Sequence, residues 1–391
     1  MEITLPRFDL LIVGGGINGV GIARDAAGRG LSVLLVEQHA LAAHTSSAST
    51  KLIHGGLRYL ETYEFRLVRE ALNERRTLLN IAPHLVHPLN FVLPQAPHVR
   101  PGWLIRIGLF LYDRLGKRGD LPRSRAVSLA PGHFGDGLKP EYRRGFVYAD
   151  AQADDRGLVQ ANAVGAQARG AEIRTGVTFL AASPVENGWM AKLREGDSVR
   201  TVHADVIVNA AGAWVGDVLG HIAGAPPELP PRLIKGSHIL VPRIHAGEHA
   251  YIFQNPDRRV VFAIPWQGKF TLIGTTDVEW HGNPSSPHIT DEEIDYLCAA
   301  VNFWLLKPIS RADVVDSFAG IRSLYDDGAP NASQVTRDYV LAFAPRLVSV
   351  FGGKITTYRV LAEHVLAAFG RYFPHMGPPW TADAPLEKAD G

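Results

Sequence analysis

Glycine is concentrated in the segment VGGGINGVGIARDA, which begins at Val13. Three of its glycines match the spacing G-x-G-x-x-G, directly after an apolar run and at the start of a helical pattern. A side chain at either of the first two positions would keep the backbone away from a pyrophosphate at the helix N-terminus. A tight turn in an ordinary α/β core would have a similar composition. The candidate cofactor-binding residues here are Gly14, Gly15, Gly16, Ile17, Asn18 and Gly19.

An acidic residue follows this motif at the distance expected of a nucleotide-binding βαβ unit. Residues 8–13 and 32–36 predict buried parallel strands, and residues 17–30 predict the helix between them. Glu37 closes the second strand, where its carboxylate can accept hydrogen bonds from a ribose diol, and Gln38 follows it. The combination predicts a dinucleotide-binding fold, with NAD and FAD both still open.

Two later turns favour FAD. VIVNAAGAW (206–214) is a buried strand leading into small residues, and FGGKITTYR (351–359) places a cation after a glycine pair at a predicted helix start. A cation and free N–H groups suit the flavin edge on which negative charge accumulates during reduction. Each segment alone could be a tight core turn, but three such turns suit an extended FAD. The candidates are Val177, Ala211, Gly212, Trp214, Gly352, Gly353, Lys354, Ile355 and Thr356.

The segment TSSASTKLIHGGLRYLE (45–61) is rich in hydroxyl groups and glycine. Such a loop can wrap a flavin ring, with a lysine and a histidine close to it. A solvated loop rich in capping residues is the alternative interpretation. The candidate residues are Thr45, Ser46, Ser47, Ser49, Lys51, Leu52, His54, Gly55 and Gly56.

Composition narrows the class of protein. With 40 basic and 39 acidic residues, the chain has no overall charge that would favour nucleic acid. Cys298 is the only cysteine, which excludes an intrachain disulfide framework and fits a reducing compartment. We find no signal peptide and no uncharged apolar stretch of about 18 residues, so a soluble or membrane-surface protein is expected. No metal site is predicted.

The remaining patterns predict two domains. Residues 64–79, 154–169 and the segment ending near 369 indicate helices; residues 171–179, 204–209 and 347–351 indicate strands, and residues 233–277 an antiparallel sheet. The predicted fold is α/β, with a discontinuous Rossmann-like FAD-binding domain (1–82, 145–215 and 340–375). A mostly antiparallel-sheet substrate domain comprises residues 83–144 and 216–339. The proline-rich tail, 376–391, is predicted to be disordered.

Several motifs carry a resemblance to one family. TSSASTKLIHGGLRYLE, KGSHILVPR, GTTDVEW, FAGIRSL, QVTRDY and FGGKITTYR resemble segments of the aerobic, FAD-dependent glycerol-3-phosphate dehydrogenases of bacteria. These belong to the D-amino-acid-oxidase-like flavoproteins, and the similarity covers residues 8–380. It implies oxidation of sn-glycerol 3-phosphate to dihydroxyacetone phosphate, with hydride transfer from C2 to flavin N5 and electrons passed to quinone. Members usually have an additional helical C-terminal domain, which we expect this chain to lack.

The resemblance also supports a set of substrate residues. Arginine matches the oxygens of a phosphate dianion, which makes Arg58, Arg322 and Arg337 candidates together with Tyr59. Most arginines are surface ion-pair partners, so each assignment depends on the resemblance. His238 is the first candidate for the base that removes the hydroxyl proton, although a structural histidine is the alternative.

Lys354 or Arg322 could instead stabilise an alkoxide or the flavin anion. The FAD is expected to be non-covalent, because the one cysteine lies far in sequence from every flavin motif.

Residues 103–115 (WLIRIGLFLYDRL) are apolar on most faces and have basic flanks. They predict either an amphipathic element on an anionic membrane surface or a core helix with basic ends. We expect a cytoplasmic protein, peripheral on the inner face of the cytoplasmic membrane, that meets a membrane quinone and is compatible with a homodimer. An oxidase that uses dioxygen and a non-catalytic FAD-binding scaffold are the rival functions.

Overall fold

The computed structural model describes residues 5–97, 99–226, 231–326 and 338–388. Its helices are α1 (Ile17–Gly28), α2 (Phe65–Ile81), α3 (Gly102–Leu115), α4 (Asp155–Gln167), α5 (Val215–Gly220), α6 (Asp291–Asn302) and α7 (Tyr358–Phe369). Its strands are β1 (Arg7–Val13), β2 (Val33–Glu37), β3 (Leu52–Ile53), β4 (Val86–Pro94), β5 (Arg125–Ser128), β6 (Arg144–Ala153), β7 (Glu172–Thr175), β8 (Val177–Val185), β9 (Gly188–Glu195), β10 (Ser198–Asn209), β11 (Arg232–Pro242), β12 (Ala250–Gln254), β13 (Val260–Trp266), β14 (Phe270–Gly274), β15 (Val278–Glu279), β16 (Asp316–Leu324), β17 (Val340–Ala344) and β18 (Leu347–Phe351).

The first sheet has a parallel centre, in the order β17-β18-β10-β1-β2-β7. β1 pairs in parallel with β2 and β10, and β10 pairs in parallel with β18. Because side chains alternate along a strand, Leu10 and Ile12 contribute to one buried cluster and Leu11 and Val13 to another. Burial on both faces explains why these strands are continuously apolar. β1, β2, β10 and β18 all end at the same edge of the sheet.

The second sheet is mostly antiparallel, as predicted. Its order is β15-β11-β14-β13-β12-β4-β6-β3, with β16 beside β11 and β5 beside β6. The pair β4 and β12 is parallel. β6 lies in this sheet, paired along its length with β4, although the sequence had placed residues from 145 onwards in the FAD-binding domain. The fold class is confirmed; the domain boundaries stay a prediction.

Two sequence predictions are wrong in detail. Residues 171–179 form parts of two strands, β7 and β8, because Gly176 has a φ of +70° and interrupts the extended backbone. Residues 376–388 are not disordered. The indole of Trp380 lies 4.7 and 4.4 Å from the guanidinium carbons of Arg24 and Arg169, and Glu387 forms ion pairs with both arginines at 3.3 and 2.6 Å. The proline content of the tail predicted disorder and did not indicate these contacts.

Helix α3 is apolar on two faces. Ile105, Leu109 and Tyr112 are buried in the cluster beneath it, whereas its other face exposes large apolar side chains. These are Trp103, Leu104, Ile107, Phe110 and Leu111, exposed by 66%, 43%, 49%, 46% and 38%. Within the described residues, no helix has the length and apolar character needed to cross a membrane.

Candidate functional site

A cavity of about 1550 Å³ follows the edge at which the parallel strands end and extends to the second sheet. The carboxyl edge of a parallel sheet is the usual ligand site in open α/β folds. The predicted residues that line the cavity are Gly14, Gly15, Gly16, Ile17, Asn18, Glu37, Gln38, Thr45, Ser46, Ser49, Leu52, His54, Gly56, Arg58, Tyr59, Val177, Ala211, Gly212, Trp214, His238, Arg322, Gly352, Gly353, Lys354, Ile355 and Thr356.

Four predicted residues, Gly19, Ser47, Lys51 and Gly55, are absent from the described lining. Arg337 lies outside the described residues.

The glycine-rich turn fits the role predicted from its spacing. Gly14 has a φ of +114°, and a Cβ there would lie 2.4 Å from the carbonyl oxygen of Ala210. Gly19 has another task, since its Cβ would lie 1.9 Å from the carbonyl oxygen of Gly14. It lets α1 pack against β1, whereas the earlier glycines bring bare backbone to the cavity. Ser46 also contacts this turn, because its Oγ accepts a hydrogen bond from the Ile17 amide at 2.9 Å.

Glu37 ends β2 at the cavity wall, as predicted. One carboxylate oxygen accepts from the Gly15 amide at 2.7 Å, and the other accepts from the His39 amide at 2.8 Å. The carboxylate therefore both faces the cavity and holds the glycine-rich turn. Each carboxylate oxygen has a further lone pair with which to accept from a ribose hydroxyl.

The hydroxyl-rich loop is fixed by contacts with distant segments. Lys51 donates from Nζ to Asp155 at 2.7 Å and to the carbonyl of Ser47 at 3.1 Å, and Ser49 Oγ donates to the same carboxylate at 2.7 Å. Thr45 donates to the carbonyl of Ile321 at 2.6 Å. Lys51 and Ser47 thus contribute to fixing the loop through contacts within the protein, and their assignment to the cofactor stays a prediction.

The first and last turns of the chain meet at the cavity. Asn18 Nδ2 donates to the carbonyl of Gly352 at 3.1 Å, and a Cβ on Gly353 would lie 2.5 Å from that nitrogen. Both glycines have positive φ, +75° and +94°. The Nζ of Lys354 lies 4.6 Å from the centre of the Tyr59 ring, in a cation–π contact at the cavity wall. Residues more than 290 positions apart in sequence thus form one surface.

Several cationic side chains line the cavity. Arg322 forms an ion pair with Asp277 and donates to Thr275 Oγ1 at 3.2 Å. Arg58 is exposed at the lining, and its side chain has no hydrogen-bond or ion-pair partner within the described ranges. Lys354 and these two arginines come from three separate segments and are three of the cations in the lining.

His238 is fully enclosed near these charges. Its Nε2 lies 3.0 Å from Thr50 Oγ1, and its ring stacks on Phe318 with 4.8 Å between centres. Burial, together with the charges of Arg322 and Lys51, lowers the pKa of His238 to about 3. Its Nδ1 has no hydrogen-bond partner in the described part of the chain. The side chain is therefore a neutral imidazole at neutral pH.

The same burial effect acts on His54, another histidine of the cavity lining. Burial lowers the pKa of His54, the charge of Asp150 opposes this shift, and the charges of Lys354 and Arg75 lower the pKa further. His54 and His238 thus both line the cavity as neutral imidazoles.

Sequence reasoning missed residues that act through distant partners. Asp155, Thr275 and Asp277 complete the contacts of the predicted residues described above. The string GTTD, which contains Thr275 and Asp277, contributes to the family resemblance, but its residues were not predicted to belong to the site. Nothing in the sequence around Asp155 indicated its role, because its partner Lys51 is 104 positions away.

Comparison with known proteins decides the family. Residues 9–359 match the family described as FAD dependent oxidoreductase. The chain belongs to this family of flavoenzymes. FAD is its cofactor, as the three glycine turns predicted, and these turns fit the group because they bring backbone without side chains to the cavity.

Similar proteins carry two different names. A glycerol-3-phosphate dehydrogenase of Pseudomonas aeruginosa is 53% identical over 385 residues, which cover 97% of this chain and 75% of that protein. A D-erythritol 1-phosphate dehydrogenase of Brucella abortus is 51% identical and covered to 76%. The structure of glycerol-3-phosphate dehydrogenase from Bacillus halodurans complexed with FAD is 29% identical, with a TM-score of 0.74, over 98% of this chain and 68% of that one.

Proposed function

We propose that this flavoenzyme oxidises sn-glycerol 3-phosphate at C2 to dihydroxyacetone phosphate. The observation that carries the proposal is the presence of Arg58, Arg322 and Lys354 in the lining of one cavity, together with the three turns that fit FAD. A phosphomonoester dianion is the natural partner of such a group of cations. The 53% identical relative named for this activity supports the same substrate.

When bound, FAD supplies the hydride acceptor. The chain's own residues bind and orient the substrate. Arg322 is held by Asp277 and Thr275, so its fork is oriented before an anion arrives, and Arg58 offers a guanidinium group with no competing partner in the described residues. We assign phosphate binding to these two arginines and to Arg337, with Tyr59 beside them.

Proton removal requires an unprotonated base near the substrate hydroxyl. His238 is our first candidate, because its imidazole is neutral and reaches the cavity beside Thr50. Its low pKa makes it a weak base, and the positive charge of Lys354 or Arg322 offsets this by stabilising the alkoxide as it forms. His54 lines the same cavity and is the next residue to test.

Steady-state assays with a soluble quinone test the substrate. We expect product from glycerol 3-phosphate with a much higher kcat/KM than from glycerol. D-Erythritol 1-phosphate is the essential comparison, because a relative of similar identity is named for it. A higher kcat/KM for the four-carbon phosphate would replace the proposed substrate while keeping the phosphate site. No turnover of either phosphate, with FAD bound, would support the scaffold alternative.

We further propose that α3 lies on the inner face of the cytoplasmic membrane, where the protein passes electrons to quinone. Leu104, Ile107 and Leu111 belong both to its exposed apolar face and to the cavity lining, so the apolar surface reaches the mouth of the cavity. Arg114 and Lys117 lie at its C-terminal end, where they can contact anionic lipid headgroups. A quinone could then enter from the bilayer.

Sedimentation with vesicles containing anionic lipid tests this surface. Trp103→Ser with Phe110→Ser should release the protein from vesicles, whereas Val199→Ser, an exposed apolar residue of β10, should not. Wild-type protein that stays in the supernatant would remove the membrane proposal. If the α3 double variant instead separates a dimer in light scattering, the same face joins two copies. Reoxidation in air faster than by quinone would favour the oxidase.

A further inference from the structure

The segment His54-Gly55-Gly56 contributes its first and last residues to the cavity wall. His54 and Gly56 line the cavity, whereas Gly55 is buried and does not contribute to the described lining. Its amide donates to the hydroxyl of Tyr112 at 2.8 Å. The middle residue is therefore anchored to the protein interior while its neighbours form the wall.

Gly55 is also closely packed against that anchor. A Cβ at this position would lie 2.8 Å from the Tyr112 hydroxyl oxygen and 2.7 Å from Leu72 Cδ2. Only a residue without a side chain allows this approach. The length and direction of the amide hydrogen bond are thus restricted by packing on both sides.

The hydroxyl group has a second partner that fixes its hydrogen-bonding direction. It donates to the Asp150 carboxylate at 2.7 and 2.9 Å, and that carboxylate also forms an ion pair with Arg75. A phenol has one proton to donate, so it gives this proton to the carboxylate and accepts from Gly55. Burial and the nearby carboxylate hold the pKa of Tyr112 well above its usual range, which keeps the proton on the phenol.

Tyr112 belongs to α3, the helix with the exposed apolar face. Its side chain is 3% exposed and points into the core, while Leu104 and Ile107 of the same helix lie at the cavity lining. One helix therefore lies at the cavity lining and also contacts the His54-Gly55-Gly56 segment through the Tyr112 hydroxyl.

We propose that Tyr112 is a positioning residue of the flavin site, which holds the His54-Gly55-Gly56 wall in place and couples that wall to the position of α3. The inference rests on the proposed contact between this wall and the flavin ring. Tyr112 and Gly55 are both absent from the described lining, so the Tyr112 hydroxyl acts on the flavin site through the segment that it anchors.

Amide hydrogen exchange of the native holoenzyme gives the first test. The Gly55 amide should exchange slowly, like the amides of the neighbouring strands, because its acceptor is buried. Exchange at the rate of an unprotected loop amide would overturn the proposal without any variant.

The second test compares Tyr112→Phe with Tyr142→Phe, both as FAD-loaded proteins. Tyr142 is a matched control, since it is also buried and its hydroxyl donates to the carbonyl of Phe303 at 3.1 Å, away from the described lining. Tyr112→Phe should increase the exchange rate of the Gly55 amide about tenfold or more, because the amide loses one buried hydrogen bond. It should also alter the visible circular dichroism and the reduction potential of the flavin.

These measurements need no substrate, so they separate the two proposals. If glycerol 3-phosphate is not oxidised, amide exchange and flavin signals still report on Tyr112. Tyr112→Phe with native exchange, native dichroism and native potential would overturn the positioning role. The same changes in Tyr142→Phe would also overturn it, because they would then follow from any lost buried phenol.

Discussion

Arg322 and Asp277 form an ion pair in the cavity wall, and the same guanidinium group also donates to Thr275. The strand β16 supplies the arginine, and the segment between β14 and β15 supplies its partners. The cation is therefore fixed in direction before substrate binds, which limits the side-chain entropy lost on binding an anion.

Arg322→Ala should raise KM for glycerol 3-phosphate about 10- to 100-fold, because a hydrogen bond to a charged group contributes about 1.5–3 kcal/mol. Turnover of glycerol should change little, since it lacks the phosphate. Arg311→Ala is the control, an exposed arginine paired with Asp291 and Asp295 outside the described lining. Equal losses with both substrates would contradict the phosphate assignment.

Glu37→Ala should weaken FAD binding about 10-fold or more. The variant loses an acceptor for the ribose and also frees the Gly15 amide, which the carboxylate now holds at 2.7 Å. Dissociation constants measured by flavin fluorescence check this. Glu172→Ala on the neighbouring strand β7 should leave them unchanged, and a native constant for Glu37→Ala would show that the carboxylate has no part in cofactor binding.

Lys354→Met should lower the flavin reduction potential, because the positive charge favours the reduced, anionic form. The contact with Tyr59 holds the ammonium group at the cavity wall. Potentiometric titration of the FAD-loaded variant gives the value directly. The exposed Lys269 provides the control substitution, Lys269→Met. If both variants retain the native potential, Lys354 does not act on the flavin.

His238 should contribute no ionisation near neutral pH. Its pKa falls from 6.5 to about 3 on folding, so between these values the unfolded chain binds the additional proton. The contribution of His238 to the free energy of unfolding is thus present above pH 6.5 and declines as the pH falls towards 3.

Two measurements on His238→Ala check this behaviour. Flavin reduction should become slower while any neutral ionisation in the pH–rate profile persists. The free energy of unfolding should also fall less steeply below pH 6.5, with a change in slope of at most about 1.4 kcal/mol per pH unit. Loss of a neutral ionisation in this variant would mean that the pKa of His238 is not depressed.

Local steric rules predicted the parts of the site that depend on neighbours in sequence. The roles of Gly14 and Glu37 follow from a strand, a turn and a helix in succession. The low pKa of His238 could not be predicted, because it results from burial and from charges contributed by Lys51 and Arg322 on other segments. The packing of Trp380 likewise depends on Arg24 and Arg169, far away in the chain.

The sheet to which β6 belongs could not be predicted for a similar reason. The sequence of β6 has the alternating pattern and the apolar content of a strand, but nothing in it indicates which sheet the strand joins. Its pairing with β4 is decided by tertiary packing. Lys51 was assigned to the cofactor from composition, whereas the structure pairs it with Asp155.

Anaerobic mixing of the FAD-loaded protein with sn-glycerol 3-phosphate tests the central claim most directly. The account predicts loss of the visible flavin absorbance and one dihydroxyacetone phosphate formed for each FAD reduced, with a much slower loss of absorbance on adding glycerol at the same concentration. A flavin that dithionite reduces but glycerol 3-phosphate does not would contradict the claim.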